Sequence, residues 1–512
     1  MKSKTLFYLI ITVIVALSIL ARFYDLSMDP FPYDDYGMGY VDEGGYTFNA
    51  RNKALFDDWF LEGSLWNSIY ISPIFTYLEY ASLHTFGVNT QSMRLVPAVL
   101  GILSIFIASY FLMRKNFQAG MIYLAFLSIN LLLIVYSRVA TLQSLELFFI
   151  LAMIGLIIND TNWSWLGVGL LIPCLIFTKL TSFFFILAIP LSLILYYWMC
   201  RKINQLQSKD YLKRLGFLIL GGVISLSGWL IWLSNNFGGW LVMNQMMAHK
   251  LYLNFFKVAA VITHLLHFSY LNLILIILSI GLVVYFLITL FKQRTIHYLD
   301  LFLLCCLGLF LLQTLAIDFF LRRWVLIIPV VALLAVRAVL SLGRVNFSYA
   351  GKEIKLSRTV LISLILVVYL AANFIPILLF FNKNITTPEE THTIVRTSQE
   401  LGEIIPEGEK VFGTMAIALG YENKIRPYYI YWKSALIDAE ELFYPYFKEN
   451  INYAVLNFDL FLAEDLAELE IDLDQSPIYK DIQDNFEIVE TLTGKDWIDN
   501  SISLPIYIYE RR

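Results

Sequence analysis

Apolar runs separated by short polar stretches recur from Leu6 to Phe381. A helix that crosses a bilayer needs about 20 predominantly apolar residues. Runs that meet this lie at about 5–22, 93–113, 118–136, 140–158, 163–179, 182–199, 215–234, 268–291, 299–317, 323–342 and 359–381. The stretch SPIFTYLEYASLHTFG (72–87) breaks the pattern, because it is short and carries Glu79 and His84. It reads as an interfacial or re-entrant helix. Past residue 382 the periodicity changes. Thr387 as N-cap, Pro388 at the first helical position and Glu390 at the capping-box position predict a helix to about Ile404. KVFGTM, NYAVLNF, FEIVETL and PIYIYE read as strands, and FLAEDLAELE as a helix. The expected fold is an all-α polytopic membrane bundle of about 11 spans over 1–382, followed by a small α/β domain over 383–512. The first outer loop is expected at 23–92.

Composition agrees with a membrane protein. The chain is 58% hydrophobic with a mean hydropathy of +0.66, against about 45–50% apolar in soluble domains. The net charge of −4 hides an asymmetry. Residues 383–512 hold 25 acids and 11 bases, whereas residues 1–382 hold 16 acids and 26 bases. The start MKSKTLFYLIITVIVALSILAR has no small-x-small cleavage site and reads as an uncleaved anchor. Lys2 and Lys4 keep the N-terminus cytoplasmic, and Arg114/Lys115, Arg201–Arg214, Lys292/Arg294 and Arg344–Arg358 then also fall inside. The expected location is the plasma membrane, with the C-terminal domain outside the cytoplasm. Cys174, Cys200, Cys305 and Cys306 have no metal-site or disulfide spacing and read as small core residues. No nucleotide-binding glycine loop occurs in the tail, and no nucleic-acid partner is expected.

Some bases remain on the outer side against this bias: Arg138, Lys179, Arg322 and Arg323 at helix ends, and Lys250 and Lys257 in the loop at 235–267. The first outer loop collects acids, including Asp25, Asp29, Asp42 and Glu43. Cationic helix ends facing an acidic loop suggest a site for an anionic, membrane-borne ligand. A guanidinium grips a phosphate with two parallel hydrogen bonds, although Arg138 could equally be a snorkelling interfacial arginine. One of Arg322 and Arg323 is expected to neutralise Asp318, leaving the other for phosphate. Glu146 lies about 9 Å into its span by helix rise. An acid at that depth is costly and usually functional; pairing with Arg138 or bonding to Gln143 is the structural alternative. His249, His264 and His267 lack an accompanying acid, so no metal site is assigned.

The stretch VDEGGYTFNAR (41–51) carries the candidate chemistry. Asp42 can accept a proton from a hydroxyl, Tyr46 lies one helical turn away, and Arg51 is placed to compensate charge. The plain alternative is that Asp42 and Glu43 cap an interfacial helix. The pattern Asp-Glu-x-x-Tyr-x-x-x-Ala-Arg after a first span resembles the first outer loop of polyprenyl-phosphate-sugar-dependent glycosyltransferases of the C-type (GT-C) fold. These include the protein O-mannosyltransferases and the lipid A aminoarabinose transferases. SPIFTYLEYASLHTFGVNTQSMRLVPAVLG, LLLIVYSRVATLQSLELFF, GLLIPCLIFTKLTSFFF and RRWVLIIPVVALLA are similar to later family segments, in order, over roughly 1–345. The chain departs from many members at Gly45, Ile71-Ser72-Pro73 and Gln143.

The resemblance implies transfer of a sugar from a polyprenyl-phosphate donor in the outer leaflet to a hydroxyl of a protein, lipid or glycan acceptor, with inversion. The Asp42-Glu43 pair is the candidate catalytic pair, with Asp42 matching the family's essential carboxylate. Arg138, Lys179, Arg322 and Arg323 would hold the donor phosphate, with Tyr46, Arg51, Gln143 and Glu146 around them. No cofactor is required; a divalent cation is compatible with the chemistry. A secondary transporter or a non-catalytic membrane assembly protein is the rival reading. The absence of an inverted repeat in the sequence counts against a transporter.

Overall fold

The computed structural model describes residues 2–29, 40–64, 66–203, 205–247, 280, 298–316, 321–341, 345–349, 352–356, 358–428, 436–456, 476–495 and 503–512. The helices up to residue 247 are α1 (Lys2–Phe23), α2 (Tyr40–Phe56), α3 (Pro73–Phe86), α4 (Thr90–Lys115), α5 (Phe117–Ser128), α6 (Leu131–Tyr136), α7 (Gln143–Asn159), α8 (Asn162–Ile176), α9 (Phe183–Ile203) and α10 (Gln205–Met247). Then come α11 (Tyr298–Ala316), α12 (Leu321–Trp324), α13 (Ile328–Ser341), a hairpin of β1 (Val345–Tyr349) and β2 (Lys352–Leu356), and α14 (Arg358–Thr386). The bundle is thus helical, and ten of the eleven expected runs fall on helices. The expected run at 268–291 lies outside the described residues. Thr90–Lys115, Leu212–Leu241 and Val360–Thr386 are long and apolar enough to cross a membrane, and seven further apolar helices are shorter.

Two breaks shape the shorter helices, and the sequence pattern alone does not show the first of them. The run at 118–136 is two helices. Asn130 ends the first and caps the second by accepting the Leu133 N–H at 3.1 Å. Its amide donates to the Tyr369 hydroxyl at 2.8 Å, and Asn373 accepts the Leu131 N–H at 3.1 Å. Backbone groups freed inside an apolar bundle must find such partners. A second break, at 177–182, is pinned by Gln313, which accepts from Phe184 N and donates to Thr181 O. α3 is a short helix that begins at Pro73 and ends where Gly87 adopts φ +87°.

Beyond α14 the chain forms an α/β layer: α15 (Pro388–Thr391), α16 (Thr393–Ile404), β3 (Lys410–Phe412), α17 (Thr414–Ala418), β4 (Arg426–Tyr428), α18 (Leu436–Asn450), β5 (Tyr453–Leu456), α19 (Pro477–Asn485), β6 (Phe486–Lys495) and β7 (Ser503–Arg511). The sheet order is β4-β3-β5-β7-β6, parallel across β4, β3 and β5 and antiparallel across β5, β7 and β6. The four strand stretches read from sequence are strands; the helix read at FLAEDLAELE lies outside the described residues. The helix read from Thr387 is corrected. Thr387 donates its hydroxyl back to Lys383 O, and the helix breaks at His392. The cap of α16 comes from far away: the Asp29 carboxylate accepts from Thr393 N at 3.1 Å and Ile394 N at 3.0 Å.

α2 lies between two cores. Tyr46 and Ala50 pack into the bundle core, whereas Phe48 belongs with Leu61, Trp66, Phe412, Ile417 and Tyr428 to the core of the α/β layer. The paired glycines make this sandwich possible. A Cβ on Gly44 would lie 2.3 Å from Ile417 O, and one on Gly45 would touch the Trp66 ring, whose Nε1 donates to Gly45 O at 2.8 Å.

Gly44→Ala is therefore expected to push the α/β layer off α2, lowering the thermal midpoint and speeding proteolysis after α14. Gly216→Ala, where a Cβ meets nothing, is the control and should change neither. Equal behaviour of the two variants in a thermal-shift and limited-proteolysis series would contradict the sandwich.

Candidate active site

The first helical turn of α2 carries Asp42 and Glu43, which face different surroundings. Glu43 is 1% exposed. Its carboxylate takes a two-point ion pair from Arg94 on α4, at 2.8 Å from Nε and 2.5 Å from Nη2, and accepts Ala140 N at 2.8 Å. Arg94 also donates to the carbonyls of Leu26 and Met28. Four segments distant in sequence therefore meet at one carboxylate. Such a pair offsets its desolvation only because both ends are fully hydrogen-bonded.

Asp42 is half-buried, on the part of α2 that Tyr46 shares one turn later. The Tyr46 hydroxyl receives Lys179 Nζ at 3.1 Å, and the same ammonium lies 5.2 Å from the Tyr46 ring centroid. Lys179 is held by the break between α8 and α9, where Thr181 and Ser182 donate to Glu146 Oε1 at 2.5 and 2.6 Å. The charges of Lys179 and Arg323 act on Glu146 through space. Tyr46, Lys179, Glu146 and Arg323 are thus one cluster, with Asp42 one turn from its edge. Along the start of α7, Thr141 Oγ1, Gln143 Oε1 and Glu146 Oε2 are buried without a hydrogen-bond partner among the described residues. Unpartnered polar atoms are costly unless something polar meets them, and the Gln143 and Glu146 oxygens are acceptors that suit a hydroxyl donor.

Other expected site residues have different tasks. Arg138 donates to the carbonyls of Ala21 at 2.9 Å, Tyr24 at 2.6 Å and Asp25 at 2.8 Å, and its guanidinium lies over Phe381. It caps the end of α1, with both terminal nitrogens donating to backbone carbonyls. Glu146 bonds to Thr181 and Ser182, not to Arg138 or Gln143. Arg51 does not compensate Asp42. It is buried and donates to Gly420, Asn423 and Ile425 carbonyls, tying α2 to the α/β layer, and burial pulls its guanidinium down to about 10. The Arg322 side chain, Asp318, Lys250, Lys257, His249, His264 and His267 lie outside the described residues. Among the described residues no three His, Cys, Asp or Glu side chains converge as metal ligands would.

Sequence reasoning passed over Arg94, Thr181, Ser182, Thr47 and Tyr421. A basic residue in the first turn of a span, as at Arg94, was the available signal for the first. Thr47 bonds Glu43 O at 2.5 Å and meets the Tyr421 hydroxyl, which belongs to the α/β layer. Beside them Glu79 on α3 is fully buried, and neither carboxylate oxygen has a partner among the described residues. Burial and the nearby charge of Glu43 push the Glu79 carboxyl well above the ordinary carboxylate range.

No family model and no curated protein matches the chain. Solved structures do. ArnT from Cupriavidus metallidurans bound to undecaprenyl phosphate aligns over 97% of both chains with a TM-score of 0.58 at 13% identity, and its apo form aligns equally well. The Archaeoglobus fulgidus oligosaccharyltransferase tethered to an acceptor peptide aligns over 89% of this chain and 69% of that one, with a TM-score of 0.51 at 13% identity. The chain has the GT-C fold of these membrane glycosyltransferases.

Two outcomes follow from the buried carboxylates. Glu43→Gln leaves Arg94 as an uncompensated buried charge, at a cost of about 3–5 kcal/mol; adding Arg94→Met should recover much of the lost thermal midpoint. A double variant no more stable than the single one would rule the pair out as the constraint. Glu79 is an acid whose folded value is raised, so its contribution to stability is full below the unfolded value of about 4.3 and is lost as pH rises through the folded value. Glu79→Gln should melt above wild type at pH 8, with the gap closing toward pH 4. A gap independent of pH would show that Glu79 is not the titrating group.

Proposed function

We propose that the chain is an integral membrane glycosyltransferase that moves a sugar from a polyprenyl-phosphate donor to an acceptor hydroxyl, at the membrane surface where α2 and the α/β layer lie. The observation that carries this reading is the contact of Tyr46, one helical turn from Asp42 on α2, with Lys179, whose segment is held by Glu146. It occurs in a fold shared with a protein solved with undecaprenyl phosphate bound.

The roles follow from the charges. Asp42 takes the proton of the acceptor hydroxyl as that oxygen bonds to the anomeric carbon. The bond from that carbon to the phosphate oxygen breaks, and its electron pair leaves with the lipid phosphate. Lys179 and Arg323 stand ready for the negative charge that develops there. Glu146 fixes the segment that carries Lys179, through Thr181 and Ser182. One displacement inverts the anomeric centre. Glu43, committed to Arg94, positions α2 and takes no proton in this scheme. Because the leaving group is a phosphate met by fixed cations, the step needs no metal; a divalent cation could supplement them. The acceptor, whether protein, lipid or glycan, approaches from the side covered by the α/β layer, and the outer membrane surface follows from the distribution of Lys and Arg among the loops.

Membranes containing wild type should transfer labelled sugar from a polyprenyl-phosphate donor. Asp42→Asn should lower kcat by about 100-fold or more, and Lys179→Met should lower kcat/KM while leaving the fold intact by thermal melting. Undiminished transfer by Asp42→Asn would overturn the assignment of the base. Absence of transfer with every lipid donor tried, together with solute uptake in vesicles, would favour a transporter.

A further inference from the structure

A cavity of about 390 Å³ opens where α4 ends and α11 begins, far from the cluster just described. Lys115, Asn116, Tyr196, Tyr298 and Arg337 line it, with Leu112, Leu333 and Leu340 among its apolar lining. The same helix α4 carries Arg94, which holds Glu43 at its outer end. The stretch from Arg94 to Lys115 is about 32 Å at 1.5 Å per residue, close to the thickness of a bilayer's hydrocarbon core of about 30 Å. The cavity therefore belongs to the membrane surface opposite Asp42, which the distribution of basic loops makes the cytoplasmic one.

The carboxylate that lines it, Asp160, and the one beside its Arg337 are matched. Asp160 accepts from Trp165 Nε1 at 3.0 Å and Arg214 at 2.7 Å. The buried Asp300 pairs with Arg337 at 2.5–2.8 Å. The exposed Lys115 at the rim, with Arg114 beside it, adds positive charge beyond these pairs. The volume falls in the range of small-ligand pockets. The combination is an exposed cation at the end of α4, two phenols and an apolar lining.

We infer that this cavity binds the head group of an anionic phospholipid from the inner leaflet, its phosphodiester at Lys115 and its first methylenes against Leu112, Leu333 and Leu340. Neutral lipids lack the charge the rim selects, and a free anion would leave the apolar lining uncovered. Each basic residue near an anionic surface strengthens such binding several-fold. The inference rests on the membrane embedding and the cavity, not on the transfer reaction.

The test uses the purified full chain in neutral detergent, with thermal unfolding and native mass spectrometry as readouts. Short-chain phosphatidylglycerol should stabilise wild type and remain as an adduct, whereas short-chain phosphatidylcholine and inorganic phosphate should do neither. Lys115→Glu, a change at an exposed site, should melt like wild type without lipid and bind phosphatidylglycerol about tenfold more weakly. Leu340→Trp, which fills the cavity, should abolish the stabilisation. Equal effects of the two lipids, or unaltered binding in both variants, would overturn the site. Lys115-dependent stabilisation by inorganic phosphate equal to that by phosphatidylglycerol would replace the lipid with a free anion and overturn the assignment.

Discussion

A carboxylate and a guanidinium that water does not reach, Glu43 and Arg94, set the geometry on which the rest of the site depends. Burying either charge alone is prohibitive, and burying both is tolerable only when every hydrogen-bonding position is filled. The pair meets this condition by gathering Ala140 N and the Leu26 and Met28 carbonyls around itself. The start of α7, the end of the chain leaving α1, α4 and α2 are thereby held in one arrangement. The adjacent residue, Asp42, is presented to a half-buried surface instead. Two neighbouring acids meet different surroundings because successive helical positions point about 100° apart.

The α/β layer belongs to the same construction. Arg51, Thr47 and Gly44 on α2, Asp29 and Asp25 before it, and Thr90 at the start of α4 all meet it. At Asp25, burial raises the carboxyl, but hydrogen bonds from Ser27 and Asn384 and the charge of His392 outweigh it and leave the group below its ordinary value. The layer is thus clamped to the candidate catalytic helix by directional polar contacts as well as by the shared core of Phe48, Trp66 and Ile417. Any shift of the layer is transmitted to the helix that carries Asp42 and Tyr46, which ties acceptor recognition to the position of the base in the proposed scheme.

The basic residues at this end of the bundle divide into two groups by what surrounds them. Arg138 and Arg51 face the carbonyl-rich ends of helices and turns, and a planar guanidinium with several donors satisfies such ends well. Lys179 instead donates to the Tyr46 hydroxyl, and its charge and that of Arg323 act on Glu146. Depth and charge sign alone do not separate the groups; the acceptors within reach do.

The sequence by itself determined the helical bundle, because a run of apolar residues in a bilayer can satisfy its backbone only as a helix, and it determined the strands of the tail through their alternation. It also singled out the stretch at 41–51, since acids and paired glycines beside a first span are chemically out of place unless they are used. It did not disclose the break at Asn130, the cap that Asp29 gives to Thr393, or which arginine holds which partner. Those depend on hydrogen bonds between residues tens to hundreds of positions apart. Only the tertiary structure decided that Glu43 is bound by Arg94, that Arg138 closes α1, and that Lys179 meets Tyr46, because a buried charge takes whatever partner the fold brings within 3 Å and local pattern carries no record of it.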